Sequence, residues 1–306
     1  MDIAVLLPAH NEAATIGATI DEFRTALPQA KIWVCDNCSD DDTSAIASSH
    51  GASVLFQPFK GKGNAVKRLF STVDADVYVL ADADKTYDSL AAQHLIQKLV
   101  SEDLDMVIGA RKGSEHGQYR RGHKAGNLFF SNVFSFLFRL NISDLFSGYR
   151  VMSRRFVKTF PCVSKGFELE TELNAHSATH RLNIAEVPTN YYPRPEGSQS
   201  KLNKYSDGLR ILLYLLYFLR DHKPLKIFST LSAVLFIIAT LFFIPIYVDF
   251  LALGTVEKFP TLFISVVIYL SGFLSFFTGL ILDAIRVNKL TNFSLQYNRT
   301  ARAHEA

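Results

Sequence analysis

Short apolar runs alternate with amphipathic stretches through the first third of the chain. Residues 3–7 (IAVLL) make a compact apolar run that Pro8 ends, and residues 12–27 follow with helical periodicity. The pairing recurs as a strand over 31–35 and a helix over 43–50, then a strand over 53–56 and a helix over 63–73. A strand over 77–81, a helix over 89–101 and a strand over 106–109 complete the series. Strands separated by helices predict an α/β domain whose mainly parallel sheet is covered on both faces. Sheets of this kind bind ligands at the carboxyl ends of their strands. Polar clusters at 8–12, 36–42 and 82–84 each directly follow a strand, so they are expected to converge on one edge.

The pattern changes after residue 223. Residues 225–248 are apolar apart from Lys226 near the start and Pro245 near the end, and residues 260–282 hold no charged side chain. Each run exceeds the ~20 residues that a helix needs to cross a hydrocarbon core. Arg220, Lys223 and Lys226 flank the first run, and Arg286, Lys289, Arg299 and Arg302 follow the second. The connecting loop carries Asp249, Glu257 and Lys258. The positive-inside rule then predicts a hairpin with both ends cytoplasmic and the loop outside. Residues 205–221 (YSDGLRILLYLLYFLRD) suit either a helix lying in the membrane interface or a packed core helix. The first residues carry no basic stretch or cleavage site of a signal peptide, so the N-terminal part is expected in the cytoplasm. The expected organisation is a catalytic domain over 1–203, a juxtamembrane helix over 204–223, a transmembrane hairpin over 224–286 and a cytoplasmic tail over 287–306.

Composition narrows the function classes. A formal net charge of +3, from 32 Lys and Arg against 29 Asp and Glu, is too balanced for the basic face of a nucleic-acid binder. Three cysteines cannot build a disulfide framework. Cys35 and Cys38 form an isolated C-x-x-C with no second pair or histidine cluster to complete a zinc site, and they read as a buried small residue and a loop thiol.

Asp82-Ala83-Asp84 sits at the end of a predicted strand. Two carboxylates in D-x-D spacing suit Mg²⁺ or Mn²⁺, which favour oxygen ligands. Such an ion bridges the phosphates of a nucleoside diphosphate and neutralises charge on the leaving group.

In order along the chain, Pro8-Ala9-His10-Asn11-Glu12, Asp36-Asn37-Cys38-Ser39-Asp40-Asp41, Gly61-Lys62-Gly63-Asn64-Ala65 and Ala81-Asp82-Ala83-Asp84 resemble the signature of family 2 glycosyltransferases of GT-A fold. Val107-Ile108-Gly109-Ala110-Arg111, Asp144-Leu145-Phe146-Ser147-Gly148-Tyr149-Arg150 and Ser200-Lys201-Leu202 resemble the branch typified by dolichol-phosphate mannosyltransferase and bacterial polyprenyl-phosphate glycosyltransferases. The resemblance covers roughly residues 1–205, and the two-span anchor is similar to that of bacterial members.

The resemblance implies a role for each matched position. Pro8, His10 and Glu12 line a base and ribose pocket, and Asp36 accepts hydrogen bonds from N–H groups of the base. Asn37-Cys38 stands where the family usually has Asp-Gly. Lys62 supplies a cation beside the nucleotide, Gly63 allows close backbone approach, and Asp82 and Ala83 adjoin the ribose. Asp82 and Asp84 hold the metal, with Asp84 also counted as catalytic; Thr86 stands where the family often places a coordinating Gln. Arg111, Arg121, Arg194, Ser200 and Lys201 are the candidates for the acceptor phosphate, which carries about −1.5 to −2 charge. Asp144 matches the residue usually proposed as general base. An acceptor already mostly ionised leaves little proton to remove, so positioning is expected to matter more than base strength. Glu168, Glu170 and Glu172 read as the acidic first turn of a helix or as a support for the site.

The expected reaction is inverting transfer of a sugar from a nucleotide-sugar to polyprenyl phosphate. UDP-hexose or UDP-N-acetylhexosamine is the first choice of donor and GDP-mannose the second. A processive polysaccharide synthase would need a Q-x-x-R-W element, and the single tryptophan, Trp33, lies in a strand. A non-catalytic membrane scaffold or sugar-lipid binding protein is the alternative from another class. A homo-oligomer and a partner that flips the lipid product are further expectations.

Overall fold

A computed structural model describes residues 1–112, 142–166, 168–193 and 223–302. A seven-stranded sheet of order β3-β2-β1-β4-β6-β5-β7 organises the first part. Its strands are β1 (Ile3–Ala9), β2 (Lys31–Asp36), β3 (Ser53–Phe56), β4 (Val77–Leu80), β5 (Met106–Arg111), β6 (Arg150–Ser153) and β7 (Ile184–Thr189). β6 runs antiparallel to both β4 and β5, and every other neighbouring pair is parallel. The expected mixed α/β architecture with a mainly parallel sheet is therefore present. Strand order reverses direction between β1 and β4, which opens a crevice at their carboxyl ends.

Alternation along the strands sends side chains to both faces. Val5, Leu7, Val77 and Val79 share one core with Ile16, Ile20 and Phe23 of α1 (Ile16–Ala26) and with Leu95, Ile96 and Leu99 of α4 (Ala91–Ser101). α2 (Thr43–Ser49) connects β2 to β3. Across the sheet, Phe70 of α3 (Lys62–Thr72) packs edge-to-face on Tyr78 of β4 and on Phe160, which caps α5 (Arg154–Thr159). α6 (Leu169–His180) then leads to β7. The first helix starts at Ile16 rather than residue 12. Asn11 adopts φ 53°, and residues 12–15 turn tightly so that the Glu12 carbonyl accepts from both Thr15 and Ile16 N–H.

The chain divides into two compact units. One takes in the sheet and, from Phe293 onward, the last turns of the final helix; the other ends at Asn292 and holds the first and most of the second of two long apolar helices. These are α7 (Pro224–Leu253) and α8 (Phe259–Arg302), both long and apolar enough to cross a membrane. Within this second unit small residues let the helices approach. Gly272 lies against Phe236, Gly279 against Phe228, and Ser275 Oγ donates to the Phe228 carbonyl at 3.1 Å. Close contact through small residues is the usual way apolar helices pack when lipid removes the hydrophobic drive between them. α8 continues as helix past residue 286 to Arg302. The segment 205–221 lies outside the described residues.

Candidate active site

The carboxyl ends of β1 and β2 are tied together by the loops that follow them. Asn11 N–H donates to Ser39 Oγ at 2.9 Å, and Asp40 N–H donates to Asn11 Oδ1 at 2.7 Å. Glu12 is buried; its N–H donates to Thr43 Oγ1, and Thr15 Oγ1 donates to its carboxylate at 3.1 Å. His10 is half-buried, and its Nδ1 is enclosed without a hydrogen-bond partner. Pro8 remains within β1, paired in register with Cys35. Asp36 is buried at the tip of β2, where Ser39 N–H (3.0 Å) and Ser44 Oγ (2.6 Å) donate to its carboxylate. Beside it, burial and then the Asp36 charge push the Cys35 thiol up to about 12, which makes it an inert core group.

Asn37 links this turn to the next motif. Its Oδ1 accepts from Gly61 N–H at 2.6 Å, and its Nδ2 donates to the carbonyls of Gln57 and Phe59. Gly61 has φ 131°, a conformation that favours glycine. A Cβ at Gly61 would fall 2.1 Å from the Lys165 carbonyl oxygen, and one at Gly63 would fall 2.1 Å from that of Ser164. The close approach that these glycines permit is thus made by the chain's own 164–165 segment.

Lys62, held between the two glycines, reaches the crevice. Its Nζ lies 2.5 Å from Asp82 Oδ1 and 2.6 Å from Glu170 Oε1. The lysine side chain is 11% exposed, Glu170 5% and Asp82 28%. Burial draws the ammonium pKa down, but the charges of Asp82 and Glu170 outweigh it, and the net shift is upward. Lys62 is therefore a fixed cation across the physiological range. Gly148 closes the group: a Cβ there would meet Lys62 Nζ at 2.9 Å, Asp82 Oδ2 at 3.0 Å and Tyr87 Oη at 3.2 Å. Gly148 N–H donates to Tyr87 Oη at 2.9 Å. Burial, reinforced by Asp82, raises the Tyr87 phenol, so it stays protonated. Behind Asp82, Asp84 is buried and accepts from Thr86 Oγ1 at 2.6 Å, while the Ala83 carbonyl accepts from Thr19 Oγ1.

A second charged pair adjoins the first through Tyr87. Its ring packs edge-on against Tyr191 at 5.4 Å, and the Arg111 guanidinium lies over Tyr191 at 5.4 Å from the ring centre. Arg111 grips Asp144 with two side-chain bonds of 2.7 Å, and its backbone N–H adds a third at 3.1 Å. Glu186 on β7 accepts from the N–H groups of Ser143 and Asp144, which fixes the loop that carries the aspartate. Ser147 Oγ donates to the Gly109 carbonyl at 2.6 Å and binds the same loop to β5.

The sequence profile described as Glycosyl transferase family 2 matches residues 4–160. Glycosyltransferase AglJ of Haloferax volcanii is 33% identical over 232 residues, which are 75% of this chain and 76% of that protein. The chain belongs to glycosyl transferase family 2. A dolichyl-phosphate hexose transferase of the same organism is 31% identical over 212 residues, covering 69% of this chain and 90% of that protein. Glucosyl-3-phosphoglycerate synthase from Mycobacterium tuberculosis, crystallised with Mn²⁺, UDP and phosphoglyceric acid, superposes with a TM-score of 0.60 at 24% identity. That match covers 71% of this chain and 78% of the other. It establishes the GT-A fold.

As a family 2 glycosyltransferase, the chain carries Pro8, His10, Glu12, Asp36, Asp82, Ala83 and Asp84 on or just after the carboxyl ends of β1, β2 and β4, and Lys62 and Gly63 in the first turn of α3. Arg111 and Asp144 form the adjoining pair. Arg121, Arg194, Ser200 and Lys201 lie outside the described residues. Several further residues shape the site. Glu170 faces Lys62, Glu186 holds the Asp144 loop, and Tyr87 and Tyr191 join the two pairs. Arg150, fully buried, donates to the carbonyls of Ser147, Leu145 and Glu170 and to Asn174 Oδ1. Burial pulls its guanidinium down to about 10, still a cation at neutral pH. The alternating glutamates at 168, 170 and 172 were the available signal for Glu170, and the motif from Asp144 onward ended on Arg150; Glu186, Tyr87 and Tyr191 carried none.

Proposed function

We propose that the protein transfers a hexosyl group, with inversion, from a UDP-linked hexose or N-acetylhexosamine to polyprenyl phosphate at the cytoplasmic face of a membrane. The observation that carries this reading is the Lys62–Asp82 pair beside Gly148, a cation and a carboxylate at the crevice where the sheet reverses order. That is where a GT-A fold would seat a nucleoside diphosphate. The names of the relatives supply the donor and acceptor classes by analogy, and the two apolar helices would keep the site near lipid-borne acceptor.

A divalent ion fits the residues present. Asp82 already contacts an ammonium at 2.5 Å, so its carboxylate accommodates a cation, and Asp84 adds a second oxygen donor nearby in sequence. Among the described residues no group of three or more His, Cys, Asp or Glu converges as a complete protein cage. Mg²⁺ and Mn²⁺ are commonly held by one or two carboxylates together with substrate phosphates and water. Asp82 and Asp84 would hold the ion, which would supply charge neutralisation to the departing diphosphate.

The chain's own groups account for the rest. Asp36 would accept from the base, and Lys62 would add positive charge beside the diphosphate. Arg111, oriented by Asp144 and Tyr191, would face the acceptor phosphate with Arg121, Arg194, Ser200 and Lys201. An acceptor phosphate oxygen forms the new bond to the anomeric carbon as the bond from that carbon to the diphosphate oxygen breaks, and UDP leaves as the anion. Asp144 acts here mainly by positioning.

The test is transfer by the purified full-length protein in detergent with Mn²⁺, a C55 polyprenyl phosphate and a panel of UDP- and GDP-sugars. A polyprenyl-phosphate sugar formed from a UDP donor, lost in Asp84→Ala and on chelation, is the expected result. Product from GDP-mannose alone would move the donor to the mannosyl alternative. Absence of product with every donor, in a protein that still inserts into membranes, would favour a scaffold.

A further inference from the structure

Lys62 is one ammonium shared by two carboxylates, and the two differ in how easily they can be left. Asp82 is 28% exposed at the crevice, whereas Glu170 is 5% exposed in the first turn of α6. A nearly buried carboxylate stripped of its partner is strongly penalised, and a part-exposed one can be satisfied by water or by another cation. Exchange at Asp82 is therefore the less costly of the two movements.

The surroundings restrict that movement to the lysine side chain. Glu172 accepts from Val163 and Ser164 N–H, each at 2.8 Å, and Glu168 accepts from Lys165 and Gly166 N–H. The segment so held presses its carbonyls against Gly61 and Gly63 on either side of Lys62. Arg150 fixes the other side of the turn by donating to the Glu170 carbonyl and to Asn174 Oδ1. The outer two of the three alternating glutamates thus clamp the backbone segment that flanks Lys62, and the middle one holds its ammonium.

We propose that Lys62 is an exchangeable counter-ion and Glu170 the positioning residue that retains it. Without donor, Lys62 neutralises Asp82; when a divalent ion arrives with the nucleoside diphosphate, Lys62 yields Asp82 and stays at the diphosphate, pivoting on Glu170. This rests on the reading of Asp82 as a metal ligand given above.

The measurement is Mn²⁺ binding to the full-length protein in detergent, followed by the EPR signal of free Mn²⁺, with and without UDP. Without UDP, Lys62→Met should bind Mn²⁺ about tenfold more tightly, a mid-range coupling for one ion-pair network. Glu170→Gln should bind it less tightly, because the ammonium then rests wholly on Asp82. In the double variant the Glu170 effect should vanish, leaving the Lys62→Met affinity. UDP affinity should fall in Lys62→Met, and Lys62→Arg, which keeps the charge, should restore the wild-type Mn²⁺ affinity. Equal weakening by Glu170→Gln in the presence and absence of Lys62 would overturn the exchange, since it would mark a simple field effect. Unchanged Mn²⁺ binding in Lys62→Met and Glu170→Gln, alongside its loss in Asp82→Asn, would overturn it as well. Mn²⁺ binding that survives Asp82→Asn would instead overturn the metal assignment beneath it.

Discussion

Arg111 and Asp144 form a bidentate pair in which both side-chain bonds are 2.7 Å and the arginine's own N–H adds a third contact at 3.1 Å. The arginine side chain is 15% exposed and the aspartate 6%. A carboxylate engaged this fully by a guanidinium is well placed to orient it. The matched motif alone suggests a general base at Asp144; the bidentate partner supports the positioning role proposed above.

Asp144→Asn should therefore act through Arg111. It should raise the KM for acceptor more than for donor and lower stability by about 1–3 kcal/mol, as expected when a buried hydrogen-bonded charge loses its partner. The acidic limb of the pH–rate profile should persist. Disappearance of that limb with acceptor binding intact would make Asp144 the proton acceptor.

Gly148→Ala tests how tightly the crevice is built. The added methyl would lie 2.9 Å from Lys62 Nζ and 3.0 Å from Asp82 Oδ2, so both charged ends must shift. Overpacking of this kind costs about 1–3 kcal/mol. Donor KM should rise roughly tenfold or more on that scale, while circular dichroism stays unchanged. A wild-type donor KM would show that the Lys62–Asp82 contact plays no part in donor binding.

His176 and His180 on α6 predict an acid limit to stability. Burial, and then the neighbouring His180, pull His176 down to about 3, and burial pulls His180 to about 4. His180 stacks under Phe293 with ring centres 3.6 Å apart. Both folded values lie below the ordinary imidazole pKa of about 6.5, so the unfolded chain binds more protons. Stability is full above about pH 6.5 and declines as pH falls through the window down to about 4 and then 3, with a slope of at most roughly 2.7 kcal/mol per pH unit. Thermal melts across pH 4–7 should show this. His176→Phe with His180→Phe should flatten the profile, and an unflattened one would place the acid sensitivity elsewhere.

The first five strands were legible because their apolar runs are short, bounded by turn residues and followed by periodic helices. The D-x-D, Asp36 and Lys62 positions followed from that, since each directly succeeds a strand or opens a helix. The far side of the sheet was not legible. β6 is only four residues (Arg150–Ser153) and carries a charged arginine, which hides its pattern, while β7 contains Glu186 and Pro188. Glu170 reaches the site from α6 and Glu186 from β7, 108 and 42 residues from their partners Lys62 and Asp144. Local pattern contains no record of such pairings. The resemblance implies a close backbone approach at Gly63, and the groups that approach Gly61 and Gly63 are the carbonyls of Lys165 and Ser164.

The carbonyls that flank Lys62 and the carboxylate that steadies it all come from residues 164–170. During synthesis, the lysine and the D-x-D pair would leave the ribosome long before their seat exists, and a nascent chain halted at residue 160 would carry the chemistry without its frame. Assembly of the surroundings of Lys62 is then a late event of folding, set by closure of a long loop rather than by the early strands.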